Sequence, residues 1–599
     1  MNDGSSDIPG LGPEDVSAFA GNVLEAATEA TEGGQLDEAE KLFRCLVDLT
    51  PKDPEAHNGL GVVFGMAGNF RAAEKQFRNA IKFAPDVVMY HRNLGSILLQ
   101  QGRFRRAGEE LSRALELDPA DVDSRHKLAK VHNGRGNLAG FEAELLKILK
   151  QDPLHVEASH DLGCYLISKG QIADGTNLLE IACRSEYAGS LAYINFGNAL
   201  IISGDLVGAR MAFQCAVELA PLGAECLMGL ATVERNLGEL RSALTNAEKA
   251  SSLATDNAAA KNLLGTIYKE LGDYEQALSL YNKALVLTPG YTPAKINRAI
   301  IHLMYGAWET GFREYETRLE DAHSDLGRNS LSSPLWDGSP LQGRQVFLYA
   351  EQGFGDAIQF SRFANTISAQ GGKVILEVRS ELYRLMKSLD KSVKVIKSGA
   401  DRPETDVHAP LMSLGYLLGI QSKSSFLPAP YLEAPKLPKG VKTLLEGLDG
   451  LKVGLNWRGA STHKEDAKRS IDLKLLESLL MTEKVHFFSL NVSSENKLQP
   501  LPGGLVDLSD HISDFYDAAS IMSHLDLVIS VDTATVHLAG AIGCPCWALI
   551  SFVPDWRWGL EHTDTIWYES VRLYRQPAIG DWPSVLDHLK SDLENLRDD

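Results

Sequence analysis

No stretch of this 599-residue sequence approaches the roughly 18 consecutive apolar residues that cross a bilayer, so no membrane-spanning helix is expected. The opening MNDGSSDIPGLGPEDV lacks both the basic start and the apolar core of a signal peptide, and a cytoplasmic location is expected. Basic residues are in deficit, 59 Lys and Arg against 79 Asp and Glu. A formal charge of -20 argues against general binding of a phosphate backbone, which leaves nucleic acid out of the expected partners. Cysteine is sparse, at seven, and Cys544-Pro-Cys546 lacks CxxC spacing. Cys164, Cys183, Cys215 and Cys226 fall at helical positions and read as small buried hydrophobes in a reducing compartment. Residues 341–599 contain no Asp-x-Asp, and Asp121-Val-Asp123 lies far from them. What is present, 44% hydrophobic and 23% charged residues, is enough for a large globular core.

The first half carries a strict repeat. Glycine falls at 34, 68, 102, 136, 170, 204, 238, 272 and 306, always 34 residues apart. With this glycine as the fifteenth residue, units begin at 20, 54, 88, 122, 156, 190, 224, 258 and 292. The eighth position is always Ala or Gly, and the twentieth is small except at Phe141. Two helices approach closely only where side chains are nearly absent, so these positions mark the crossing of a helix pair. The fifteenth glycine predicts a left-handed helix end, and Pro51, Pro85, Pro119, Pro153, Pro221 and Pro289, all at position 32, stop the second helix. Residues 1–19 read as a tail and 20–325 as an all-α solenoid.

Period and pattern resemble the tetratricopeptide repeat, which implies a groove that holds an extended protein segment. Asn93, Asn195 and Asn297 share the sixth position of their units. The arm resembles that of the eukaryotic O-GlcNAc transferases, whose asparagines at this place grip a peptide backbone. The resemblance implies acceptor binding by these three, against the alternative of plain surface polarity.

From residue 341 the period changes. QVFLYA, KVILEV, VKVI, KVGLNW, HFFSL, DLVISV and CWALI are short apolar runs separated by helical or loop segments, the alternation of a parallel α/β sheet. Two sets, 341–432 and 451–599, flank the proline-rich LPAPYLEAPKLPKG, and 433–450 reads as a linker between two Rossmann-like lobes. YAEQGFGDAIQF, residues 349–360, is a strand end followed by Gly353-x-Gly355, but Ile358 stands where a dinucleotide fingerprint needs its third glycine. In DLVISVDTATVHLAGAIGCPCWALI a buried strand ends at Asp532, and Thr533-Ala534-Thr535 opens a helix whose N-terminus offers unpaired N–H groups to a phosphate.

These stretches, with FVPDWRWG at 552–559, resemble the GT-B glycosyltransferases of heptosyltransferase type, many of whose relatives are fused to tetratricopeptide repeats. The resemblance implies a donor-phosphate loop of Asp532, Thr533, Ala534, Thr535 and His537. It makes Asp356 of the GFGD stretch the candidate catalytic base. In the basic loop NWRGASTHKEDAKRS it implies that Lys468 or Arg469 meets the donor phosphate, beside Arg458, His463 and Lys464. Such enzymes work without a metal or cofactor. Each residue also has a plainer reading. Asp356 and Asp532 cap helices, His537 is a satisfied helix histidine, Trp556 and Trp558 pack a core, and the basic loop is solvated.

At this length and arrangement the chain most resembles the alphaproteobacterial flagellin glycosyltransferases. That implies a protein O-glycosyltransferase acting on Ser or Thr of flagellin, with a pseudaminic-type sugar carried on CMP. The alternatives are a repeat scaffold with a catalytically inactive second half, and a heptosyltransferase acting on glycolipid, which leaves nine repeats without a role.

Overall fold

The computed structural model describes residues 13–186, 188–320, 331–422, 429–437, 439–460, 466–492 and 502–598. The chain divides into two compact units, Met1–Glu239 and Leu240–Asp599. The division falls inside the seventh repeat, ahead of the boundary that periodicity alone marks.

The first unit is built from helix pairs, from Pro13–Glu32 with Leu36–Leu49 to Ser190–Ser203 with Leu206–Leu219, followed by helix Ala224–Asn236. Each expected glycine has the left-handed conformation; φ runs from 70° at Gly102 to 87° at Gly204. The residue after it often starts the next helix. Asn69, Asn137 and Asp205 accept from the N–H groups of Ala72, Gly140 and Gly208, so one dipeptide ends one helix and caps the next. The small eighth position is a packing requirement. A Cβ on Gly197 would lie 2.6 Å from the ring of Phe213, and one on Gly95 2.6 Å from Leu111.

The second unit opens with helix Leu240–Leu253 and two complete pairs, Ala258–Glu270 with Tyr274–Leu287 and Thr292–Met304 with Trp308–Tyr315. Its α/β part holds two all-parallel sheets. The first contains β1 (Gln345–Tyr349), β2 (Lys373–Val378), β3 (Val393–Lys397) and β4 (Val407–Pro410), in the order β3-β2-β1-β4. The second contains β5 (Leu451–Asn456), β6 (Val485–Ser489), β7 (Leu505–Asp507), β8 (Leu527–Val531), β9 (Cys546–Ile550) and β10 (Val571–Arg575), in the order β10-β9-β8-β5-β6-β7. Counted from its own first strand, the second sheet runs 3-2-1-4-5-6, the doubly wound order, and the first runs 3-2-1-4. β8 and β9 are buried throughout, as strands covered on both faces must be. The helix Trp582–Asp598 covers one face of the second sheet through Trp582, Leu586, Leu589 and Leu593.

Order reverses between β1 and β4 in the first lobe and between β5 and β8 in the second, and ligands of doubly wound sheets bind beyond the strand ends at such points. Helix Phe354–Ala369 follows β1 and helix Ala534–Ile542 follows β8. They meet at their first turns. A Cβ on Gly355 would lie 2.7 Å from His537 Cδ2, so only glycine allows this approach. Tyr431, just ahead of the linker, ties the same helices together: its Oη donates to the Ile358 carbonyl (2.9 Å), and its N–H donates to the Ala541 carbonyl (3.0 Å). At the flank, Arg384 donates twice to Asp514 (2.6 and 2.7 Å) and pairs with Asp517 (2.8 Å).

Candidate functional site

In the second lobe the reversal point is organised by Asn456, the last residue of β5, which is 5% exposed. Its Nδ2 donates to Thr533 Oγ1 (2.9 Å) and Thr535 Oγ1 (2.7 Å), and lies 3.4 Å from Ser530 Oγ. Thr533 is the N-cap of helix Ala534–Ile542 and accepts from the Thr535 N–H (3.3 Å). Because both hydroxyl oxygens act as acceptors here, their hydrogens are left to donate elsewhere. Two hydroxyl donors at a helix N-terminus suit an anion. The threonines stood out in the sequence; Asn456 and Ser530 did not, because neither carries a signal of its own at a strand end.

In the first lobe the turn after β1 is held residue by residue. Glu351, its side chain 1% exposed, accepts from Arg318 Nη2 (2.6 Å) and Arg318 Nε (3.3 Å). Gln352 Nε2 donates to Tyr315 Oη (2.8 Å). The Gly353 N–H donates to Asp356 Oδ2 (2.9 Å), so Asp356 does cap its helix. Its other oxygen, Oδ1, accepts from Arg557 Nη2 in an ion pair that joins the lobes. The Asp356 side chain remains 22% exposed.

Arg557, in the FVPDWRWG stretch, is the centre of this contact. Its Nη1 donates to Asp555 Oδ1 (2.9 Å), its Nε to Gln359 Oε1 (2.5 Å), and its guanidinium lies 4.4 Å from the centre of the Trp556 ring. Burial acts to lower its pKa, but the Asp555 and Asp356 carboxylates outweigh burial and hold it above the ordinary arginine value. The flanking tryptophans drew attention in the sequence and the arginine did not. Trp556 and Trp558 are buried, as core packing predicts.

Asp532 is partly open at the end of β8. Desolvation of its carboxyl, followed by the nearby Asp555 carboxylate, pushes its pKa up to about 7, while Trp558, Arg469 and Arg557 act in the opposite direction. Arg469 Nη1 donates to the Asp532 carbonyl (3.0 Å), and Arg469 Nε to Asp466 Oδ1 (3.4 Å). Arg469 therefore fixes the backbone of the loop. Lys468 points elsewhere and donates to Glu270 Oε2 (3.1 Å), at the end of a repeat helix. Arg458 is exposed, just beyond β5. His463 and Lys464 lie outside the described residues.

His537 is buried in a helix contact. Its Nδ1 is 3.0 Å from Tyr568 Oη, and its ring stacks on Trp558 at 5.3 Å. Burial, followed by Arg557 and Arg362, keeps its pKa well below the usual histidine value, so it is neutral. Arg362, fully buried one turn from Gln359, donates to the Trp567 carbonyl (3.1 Å) and lies 4.4 Å from the Tyr431 ring. Two buried guanidinium groups thus stand behind the paired helix N-termini.

The three asparagines of the repeats bond to the preceding repeat. Asn93 Nδ2 donates to Asn58 Oδ1 (2.9 Å), and Asn297 Nδ2 to Asn262 Oδ1 (3.1 Å); Asn195 Nδ2 lies 2.8 Å from His160 Nε2. Each partner lies 35 residues earlier in the chain. His160 has its pKa raised to about 9, chiefly by its bond to Asp161.

The first half of the chain carries tetratricopeptide repeats, and the second half is an α/β domain. Residues 24–86 and 63–122 match one family model described as tetratricopeptide repeat, residues 98–162 a second, and residues 258–291 a third. Among curated proteins, protein FlbA of Caulobacter vibrioides is 25% identical over 470 residues, covering 72% of this chain and 72% of its own. Among solved structures, Pseudomonas aeruginosa PilF is 16% identical with a TM-score of 0.33, covering 35% of this chain and 96% of its own. A tetratricopeptide repeat protein of Parabacteroides merdae is 18% identical with a TM-score of 0.32, covering 41% and 98%. Among the described residues no helix is long and apolar enough to cross a membrane.

Proposed function

We propose that this chain is a protein O-glycosyltransferase of GT-B type that moves a sugar from a nucleotide donor to a serine or threonine of a protein held by its repeats. Flagellin is the proposed acceptor and a CMP-linked pseudaminic-type sugar the proposed donor. The similarity to FlbA is in keeping with a flagellar setting. One observation carries the reading. Two doubly wound lobes set the N-termini of the helices after β1 and β8 against each other, and Asp356, Asp532, Asp555, Arg469 and Arg557 collect there.

Transfer needs a base for the acceptor hydroxyl and a dock for the departing phosphate. Asp356 takes the hydroxyl proton as the acceptor oxygen bonds to the anomeric carbon. The bond from that carbon to the phosphate oxygen breaks, and the electron pair leaves with the nucleotide. Thr533, Thr535, the first N–H groups of helix Ala534–Ile542 and the exposed Arg458 receive the growing negative charge. The test is incubation of the full chain with CMP-pseudaminic acid and flagellin, read by intact mass. Addition of one sugar residue supports the proposal, and unmodified flagellin with intact donor removes it.

A scaffold with an inactive second half is the second reading. It is favoured by the engagement of both Asp356 oxygens, one with Gly353 and one with Arg557.

A further inference from the structure

The last repeats contact the two loops at the reversal points of the two sheets. On the first-lobe side, the short helical turn Glu316–Glu320 at the end of the ninth repeat supplies Arg318. This guanidinium is buried and donates to Glu351 and, across the reversal point, to Ser413 Oγ (2.9 Å). The last helix residue, Tyr315, accepts from Gln352. Glu351 and Gln352 immediately precede Gly353, whose N–H holds Asp356. On the second-lobe side, Glu270 of the eighth repeat accepts from Lys468, the neighbour of Arg469, which in turn holds the Asp532 carbonyl.

A surface that only presented a bound protein would need none of these contacts. Arg318 and Glu351 are nearly fully buried, and a buried ion pair is costly to form unless its geometry is tightly held. The Tyr315 to Gln352 bond adds a second tie one residue along. Two consecutive residues of the turn are thus anchored to the repeats, and the next one carries the helix cap.

We infer that Glu270, Tyr315 and Arg318 of the terminal repeats are positioning residues of the site where the two helix N-termini meet, fixing the turn that carries Asp356 and the loop that borders Asp532. The role of the site as a transferase rests on the function proposed above; the bracing itself does not.

The test uses the full chain and the variants Glu270→Gln, Tyr315→Phe, Arg318→Lys and Arg318→Gln, read by amide hydrogen exchange and by turnover. Tyr315→Phe keeps the ring and removes one acceptor. It is expected to lower protection at Gly353–Ala357 about 3- to 10-fold, the worth of one buried hydrogen bond, with β8 unchanged. Arg318→Lys, which cannot make the forked contact, is expected to do the same. Where transfer is measured, kcat should fall while KM for the nucleotide sugar holds. Protection at Gly353–Ala357 that stays at the wild-type level in both conservative variants overturns the inference. So does a loss spread equally over β8, which marks a merely structural role. A chain that shows the local loss but transfers no sugar keeps the brace and loses the transferase reading; one that transfers sugar and ignores these substitutions does the reverse. If Arg318→Gln fails to fold, the conservative pair still decides.

Discussion

Arg557 and Asp356 form an ion pair between residues 201 positions apart, and the pair joins the turn after the first strand of one lobe to the loop that follows β9 in the other. The guanidinium is 6% exposed and also bonds Asp555, so it holds one carboxylate from each lobe. A carboxylate read from sequence as a base or a cap is therefore also an interlobe contact.

Asp356→Asn keeps the size and much of the capping ability, but it cannot balance the buried guanidinium. The expected stability loss is about 1 to 3 kcal/mol. That is below the usual cost of breaking a buried pair, because Asp555 remains. If Asp356 is also the base, turnover falls by about 100- to 10,000-fold in both the Asn and Ala variants. Urea denaturation and turnover are measured side by side, and near-normal turnover of the Asn variant assigns the proton to another group.

Asp532 provides a pH signature. Burial, followed by the Asp555 carboxylate, pushes its carboxyl up to about 7 when folded, against about 3.9 in an unfolded chain. Between those values the folded state holds the proton more tightly, so this group's contribution is complete below about pH 4 and is lost as pH rises through about 7. Asp532→Asn should flatten that part of the profile. Urea midpoints of both proteins at pH 5, 6, 7 and 8 check this, and parallel profiles would show that Asp532 is not the group responsible.

Gly355→Ala tests the approach of the two helices. The added Cβ would meet the His537 ring, which is held between Trp558 and Tyr568 and has little freedom to move. Overpacking of this kind costs about 1 to 3 kcal/mol. The lobes should loosen together, seen as a lower melting temperature and a weaker Arg557 to Asp356 contact. An unchanged melting temperature would contradict the close approach.

The ninth repeat should prove inseparable from the α/β part. Trp308 stacks on Trp567 (5.6 Å), and Phe312 meets Phe360 (6.4 Å) and Trp556 (5.6 Å) edge-on. Phe312→Ala is expected to cost about 3 to 5 kcal/mol. A chain starting at residue 331 should aggregate, because it exposes the faces that Trp308 and Phe312 cover, whereas one starting at residue 240 should stay monodisperse. Gel filtration distinguishes them, and a soluble, cooperatively melting 331–599 fragment would show that the repeat is dispensable.

Much of this fold is legible in the chain itself. The glycine at every thirty-fourth residue and the small partner at position eight act through sterics within a few residues or one helix crossing. Short apolar runs separated by helical stretches likewise foretell parallel sheet, because strands buried on both faces need them. Asp532 and its threonines could be picked out at a strand end for the same reason. Tertiary structure alone decided the rest. Asn456 meets Thr533 and Thr535 from 77 and 79 residues away, and Arg557 reaches Asp356 from the other lobe. Lys468 turns to Glu270, and Arg318 to Glu351. Such pairings depend on which surfaces bury one another and on the desolvation of charges that follows, neither of which has a sequence period.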